Sequence, residues 1–184
     1  MAFSLSTFKT ALGSGGARPS LFEFVFTATP TDVSTSLGDV KLYCNVSEIP
    51  PLTLTPIERQ YFGRTVKIPG DLVFGELTTT IINTEDFGVR NEIEKWMEFI
   101  NSTVANESKA DVDFGTGSAN LTHFQKNGLK TMTYNFIDIW PTSLTEIALS
   151  YDTASDIEQF DCTWAYNYFT TEGGSVVKQN PEQD

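Results

Sequence analysis

Histidine and cysteine are nearly absent from this 184-residue chain, which holds one histidine, His123, and two cysteines, Cys44 and Cys162. A zinc site needs three or four ligands drawn largely from these residue types. A nucleophilic Cys–His pair would have to join His123 to Cys44 or Cys162, and neither cysteine sits in a local motif of that chemistry. His123 lies in a polar stretch and reads as a solvated loop residue. The cysteines fall in strand-like runs and read as free core thiols of a reducing compartment. Basic residues are scarce too: 12 Lys and Arg stand against 24 acids, for a net charge of -12 and a pI near 4.4. Such a surface cannot bind nucleic acid by neutralising phosphates, although DNA can pass near it without adhering. No apolar run approaches membrane-spanning length. The opening "MAFSLSTFKTALGSGGARPS" has neither an apolar signal core nor a cleavage site, so an unexported cytosolic product is expected. The glycosylation-type triplets at Asn45, Asn101, Asn106 and Asn120 then count as chance matches. There is no phosphate-cradling glycine loop and no dinucleotide fingerprint. "DVDFGTG" (Asp111 to Gly117) has a faint look of a calcium loop, but Gly115 takes its third acidic position and Thr122 stands where a bidentate Glu belongs. No catalytic residue, cofactor or metal is expected.

Phenylalanine, by contrast, is abundant at fourteen residues, and aromatic and Thr-rich runs favour strands. The length suits one domain with a proper core. "LFEFVFTAT" (Leu21 to Thr29) puts Phe22, Phe24 and Phe26 on one face and Glu23 on the other. "PTDVSTSLGD" reads as a polar loop. "KLYCNV" (Lys41 to Val46) alternates again, and "LVFGELTTTIIN" (Leu72 to Asn83) reads as one strand with Gly75 a candidate bulge. "TEDFGVRNEIEKWMEFINST" is helical, with Val89, Ile93, Trp96, Met97 and Ile100 on one face, Thr84 or Asp86 as cap and acids in the first turn. "NESKADVDFGTGSAN" reads as a loop. Three closing strands are expected in "LKTMTYNFIDIW", "LTEIALSY" and "IEQFDCTWAYNYF", with "PTS" and "DTASD" as turns between them. The sum is a mainly β chain, an antiparallel β-sandwich or barrel with one flanking α-helix. Residues 1–20 form a flexible N-terminal segment, 18–170 the single β domain and 171–184 a disordered tail.

Two features are left over. Four of the eight prolines, Pro50, Pro51, Pro56 and Pro69, fall in "IPPLTLTPIERQYFGRTVKIPGD", poor material for a central strand. The same stretch is crowded with large apolar groups that a solvated loop does not need. In addition, two of the closing strands each carry a small, polar, mildly acidic face: Thr131, Thr133 and Asn135 on one, Asp161, Thr163, Ala165 and Asn167 on the other. Ordinary alternation makes a solvent face of this kind. The sharper reading is a smooth wall beside a water-filled channel.

The chain resembles the tail tube proteins of contractile-tailed bacteriophages, the myovirus group. The resemblance rests on "RPSLFEF", "SEIPPLTLTPIERQYFGRTVKIPGD", "LTTTIINTEDFGVRNEIEKWMEFIN" and "IDIWPTSLTEIALSYDTASDIEQFDCTWAYNYF". In order they cover most of Arg18 to Phe169, and "WPTSLTEIALSYDT" and "IPGD" are the most specific. The resemblance implies a β-sandwich with a flanking helix, six copies in a ring, and rings stacked into a hollow tube whose inner sheets form one barrel. It also implies as partners a contracting sheath, a baseplate or tube initiator and a tail terminator, and DNA passing down the lumen without specific binding. The protein would be assembled in the host cytoplasm, reside in the virion tail and catalyse nothing.

On that reading the proline-rich stretch reaches into the neighbouring ring. Leu52, Leu54, Ile57, Tyr61 and Phe62 supply buried contacts, while Glu58, Arg59, Arg64 and Lys67 pair with partner charges. Thr131, Thr133, Asn135, Asp161, Thr163 and Asn167 line the lumen. Two alternatives stay open. One is the inner tube of a non-viral contractile injection machine. The other is a carbohydrate-binding β-sandwich module, which would expose Trp and Tyr on a stable monomer.

Overall fold

The computed structural model describes residues 4–12, 16–30, 33, 36–105, 107–108, 115–153 and 156–173. In chain order the elements are α1 (Leu5–Leu12), β1 (Phe22–Ala28), a 3-10 turn (Ser36–Asp39), α2 (Val40–Tyr43), β2 (Cys44–Ser47), β3 (Leu52–Tyr61) and β4 (Arg64–Phe74). They continue with β5 (Leu77–Ile82), α3 (Gly88–Ile100), β6 (Gly117–Phe124), β7 (Lys130–Leu144), a second 3-10 turn (Tyr151–Thr153), β8 (Gln159–Ala165) and β9 (Tyr168–Gly173). The fold is mostly antiparallel β with few helices. One sheet runs β1-β6-β7-β8-β5-β2 with β9 also on β7, and β3 and β4 form a separate two-stranded ribbon.

Strand β7 organises the sheet. Its first half pairs with β6 and β9, and its end, from Trp140, pairs with β8. Between the halves Asp138 takes φ +55°. The buried positions step from Phe136 to Ile139 there, three residues instead of two, so the strand changes which side it turns inward. The sheet thereby divides into a four-strand half of β1, β6, β7 and β9 and a second half of β7, β8, β5 and β2. The halves face one another across the core. The Phe24 and Phe26 rings of the first half lie 6.4 and 5.0 Å from Trp164 of the second.

Helix α3 buries Val89, Ile93 and Trp96, as its spacing predicts. The Trp96 ring packs edge-on to Phe26 at 5.7 Å and its Nε1–H donates to the Gly115 carbonyl at 2.6 Å. Gly117 makes this approach possible: a Cβ there would stand 2.5 Å from the Ala28 carbonyl oxygen and 3.0 Å from the Trp96 ring. The helix start differs from expectation. Phe87 is the N-cap residue, at φ 53°, and no acid lies in the first turn. Asp86, one residue earlier, accepts from the Gly88 N–H at 3.3 Å and from the Thr84 hydroxyl. Those two donors, Thr84 first, hold its carboxyl below the usual range.

Several sequence expectations give way to partner choice. "GSANLTHF", read as part of a loop, is β6 and takes β1 on one side and β7 on the other. His123 is therefore a strand residue, and its Nε2 lies 2.8 Å from the Arg18 carbonyl oxygen. "KLY" is helical, Leu42 is 69% exposed, and only Cys44–Ser47 is strand. The run Leu72 to Asn83 is two strands in two sheets, broken at Gly75, whose N–H donates to the Pro51 carbonyl at 3.0 Å. "WPTS" does not turn. Pro141 lies within β7 opposite Trp164, at a register shift on the side where β7 has no other partner, so its missing N–H costs nothing. "LTEIALSY" leaves the sheet after Leu144, the last residue of β7, and Leu149 and Tyr151 are exposed there. The last run is split after Ala165 into β8 and β9, and β9 extends to Gly173, into the expected tail. Asp111–Phe114 of the calcium-like stretch and residues 174–184 lie outside the described residues.

Candidate functional site

The unusual part of this molecule is the ribbon. Every residue of β3 is exposed, and so is all of β4 except Gly70 and Phe74. Phe74 roots it in the body, its ring 5.4 Å from Phe169 and 6.2 Å from Tyr166, and the Tyr166 hydroxyl donates to the Gly75 carbonyl. The strands are joined by Phe62 (φ 46°) and Gly63 (φ 75°), two left-handed residues in succession, as a type I′ turn requires. Glycine fits that geometry and Asn or Asp tolerates it, whereas a bulky side chain is strained. Phe62 is nonetheless there, 89% exposed and edge-on to Tyr61 at 4.7 Å.

Register separates the two faces of the outer ribbon. Ile57↔Ile68, Arg59↔Val66 and Tyr61↔Arg64 share one face. Glu58↔Lys67 and Gln60↔Thr65 share the other, and both close internally, at 3.0 and 2.8 Å. Glu58 and Lys67 thus bond to each other within the protomer. Arg59 and Arg64 have no ion partner among the described residues. Nearer the root, Leu52↔Phe74 and Leu54↔Leu72 make an apolar patch. A bulge separates the two regions at Thr55, where a Cβ on Gly70 would stand 2.5 Å from the Thr55 carbonyl oxygen, and Pro56 lies opposite Pro69. All nine ribbon residues expected from the sequence are brought together on this one element. Those nine leave out Ile68 and Leu72, and Val66, which the sequence offers as a large apolar group of the stretch; all three lie on the return strand of the same ribbon. The ribbon holds three bases and two acids, so it is net positive on a chain of -12.

The expected channel-wall residues do not share one face. Thr131, Thr133 and Asn135 lie on the outward side of the four-strand half. Two cross-strand rows run there, Glu23–Thr122–Thr133–Glu172 and Val25–Asn120–Asn135–Thr170, without a lysine or arginine. Thr122 and Thr133 hydroxyls meet at 3.3 Å. Asp161 and Thr163 lie on the outward side of the other half, with Thr80 donating to Asp161 Oδ1 at 2.7 Å. Since the halves pack inner face to inner face, these two sets point away from each other. Asn167 sits between β8 and β9 and donates to Asp138 at 2.7 Å. Asn120, Thr122, Thr170 and Glu172 escaped the sequence reading because β6 and β9 were not legible as separate strands, so Glu23, read on the outer face of β1, was not joined to them.

Chemistry for catalysis is sparse. Burial pushes the Cys44 thiol up to about 12 and the Cys162 thiol higher still, so neither is a thiolate at neutral pH. Among the described residues no three His, Cys, Asp or Glu side chains are grouped to hold a metal ion. Trp96 and Trp164 are fully buried and so offer no sugar-stacking surface.

Known proteins resemble this chain in sequence and in fold. Residues 15–172 match the family model described as phage tail tube protein. The tail tube protein of Serratia phage KSP90 is 29% identical over 128 residues, 70% of this chain and 72% of that one. Tail tube protein gp19 of Enterobacteria phage T4 is 23% identical over 155 residues, 83% of this chain and 90% of that one. Among solved structures, a chain of an extracellular contractile injection system, the PVC sheath-tube complex in its extended state, has TM-score 0.59 at 18% identity, covering 94% of this chain and 100% of that one. A chain of the six-fold symmetrised baseplate of the anti-feeding prophage has TM-score 0.67 at 9% identity, covering 89% and 99%. These two establish likeness of fold. With the family model spanning nearly the whole described chain, the protein belongs to the phage tail tube protein family and is a structural component of the virion tail.

Proposed function

We propose that this chain is the inner-tube subunit of a contractile tail: six copies close into a ring, rings stack into a hollow tube, and phage DNA leaves through the lumen. The observation that carries the reading is the ribbon, which exposes apolar side chains on both faces and two arginines without an ion partner among the described residues, none of which covers them. Such a surface becomes stable against water only when a partner covers it. The partner is another copy, because tube building is self-association. Six is supported by the like-folded chain from a six-fold symmetrised baseplate. The four-strand half supplies the lumen wall. Among the described residues its outer strands β1 and β9 each have an unpaired edge for a neighbour's strand. Six such halves would join about 24 strands into a barrel roughly 37 Å across at about 4.8 Å per strand, before tilt. Its acidic and small polar rows repel phosphate, so DNA slides without counterion-release binding. Asp161 and Thr163 then face outward, toward a sheath, and a baseplate initiator and a terminator close the tube's ends. The role is mechanical, with no catalytic step.

Electron microscopy of the concentrated protein, with sizing chromatography of the same sample, tests the assembly. Hollow rings or stacked tubes are expected from the native chain and none from Tyr61→Ser/Phe62→Ser. Tubes formed normally by that double variant would refute the ribbon's role. The wall is tested with a bulky maleimide: in closed tubes Thr133→Cys should resist labelling while Thr163→Cys reacts, and both should react in dispersed subunits. The reverse pattern would place the other half at the lumen.

The second reading, an injection tube without a phage genome, is raised by the like-folded chains of contractile injection systems. Purified tubes that hold protein cargo and never DNA would favour it.

A further inference from the structure

The fold leaves one end of its core open. Phe22, Leu121, His123 and Tyr134 on the inner side of the four-strand half, Ser47 at the end of β2 and Ile49 beyond it, and Ala17 and Pro19 before β1 line an apolar cleft of about 340 Å³. We infer that this mouth is the receptor for the Tyr61–Phe62 tip of the ribbon of a second copy. The inference rests on the reading of the ribbon as a contact between copies and names the surface it meets.

Three observations carry it. First, the tip cannot serve its own mouth. Ile49 stands three residues before the ribbon's root at Leu52, whereas β3 spans ten residues, so the tip lies roughly 30 Å along a paired, stiff ribbon. Second, the occupant and the cleft match in character. Phe62 is the most forward and most exposed ring of the ribbon, and the mouth is a concavity continuous with the apolar core. Third, the charges agree. Arg59 and Arg64 flank the tip, while Glu48 sits between the lining residues Ser47 and Ile49, and no lysine or arginine is among the lining residues. Glu48 has no ion partner among the described residues. Two larger clefts fit less well. One includes Lys126, which repels the arginines, and the other, along α3, is lined by Glu94, Lys95, Glu98 and asparagines, with little to receive a phenyl ring. A tip seated in the next copy's mouth spaces successive copies by about one ribbon length, so each subunit is donor at one end and receptor at the other.

Cross-linking separates this inference from the reading beneath it. In a Cys44→Ala background, Thr65→Cys keeps both tip rings and places a thiol on the ribbon's polar face beside them, and Ile49→Cys places one at the mouth. Tubes co-assembled from the two single variants and treated with a short bismaleimide should give a dimer band absent from either variant alone. The double variant should give a ladder. A Glu98→Cys partner, on the α3 groove, should give none. Cross-linking to Glu98→Cys in place of Ile49→Cys would overturn the mouth as receptor yet leave the ribbon between copies. No cross-link to either site, with tubes still built by Tyr61→Ser/Phe62→Ser, would overturn both. No cross-link with tubes abolished in that variant would overturn the mouth alone.

Discussion

Phe62→Asn separates folding from assembly. Phe62 occupies the first left-handed position of the ribbon turn at φ 46°, and Asn-Gly is the sequence that such a turn prefers. Removing a bulky residue from this region relieves about 1 kcal/mol. The lost edge-on contact with Tyr61 at 4.7 Å costs about 0.5 kcal/mol at so exposed a place. The dispersed subunit should therefore keep its urea midpoint or rise slightly. Assembly should respond in the other direction. A phenyl ring now 89% exposed hides about 150 Å² or more of apolar surface when a partner covers it, or about 4 kcal/mol. Side-chain ordering takes back about 1 kcal/mol. The remainder of about 3 kcal/mol corresponds to a rise of roughly 100-fold in the concentration at which tubes appear. Pelleting across a dilution series measures that threshold, and urea unfolding measures the subunit. An unchanged threshold would refute the argument that the strained ring is kept for a partner, and so would a subunit weakened by more than about 2 kcal/mol.

Gly117→Ala should destabilise the subunit by about 2 kcal/mol in urea unfolding, because its methyl would meet the Ala28 carbonyl oxygen at 2.5 Å and the Trp96 ring at 3.0 Å. Glu58→Gln should change stability by less than about 1 kcal/mol and leave the tube threshold in place, since its partner Lys67 lies on the same ribbon and both are exposed. Thr133→Lys with Glu172→Lys should fold and assemble but make tubes retain duplex DNA at low salt and release it as salt rises, read by co-pelleting. Burial disfavours the Cys44 and Cys162 thiolates, so the folded subunit should resist iodoacetamide at pH 8 and take up two equivalents only in denaturant, counted by mass.

The sequence made β1 and α3 legible because each meets the core with one face for its whole length, and a period of 2 or 3.6 reports a constant environment. Where the environment changes along the strand, the pattern breaks down. Strand β7 swaps its inward parity at Asp138, so its end past Trp140 looked like a turn, and Pro141 reinforced that reading although it lies where no donor is needed. Strand β4 passes from solvent to core at Phe74, and alternation alone cannot tell that Leu72 and Leu77 belong to different sheets. The missed β6 has only Ala119 and Leu121 as buried apolar side chains among polar neighbours, too little contrast to stand out from the loop before it. The ribbon stood out for the opposite reason: its exposed apolar residues have no intramolecular explanation. What the sequence withheld was the division of its faces, which depends on register.

The pairing of Pro56 with Pro69 bears on what happens before any tube exists. Opposed residues of an antiparallel pair either exchange hydrogen bonds or turn their backbone groups outward, and two prolines have no N–H to exchange. The donors they lack are therefore those of the ribbon's outer edges, midway along both strands, next to the bulge at Thr55. A long, exposed, apolar ribbon with intact edges would zip onto its like in the crowded pool of newly made subunits and lose them to disordered fibrils. With both edges interrupted, ribbons are poor templates for one another, and the side chains of the tip are left to choose the partner. Restoring the edge donors by Pro56→Thr with Pro69→Thr should leave tubes able to form but shorten the life of the soluble pool, seen as thioflavin-positive aggregate in stored subunits.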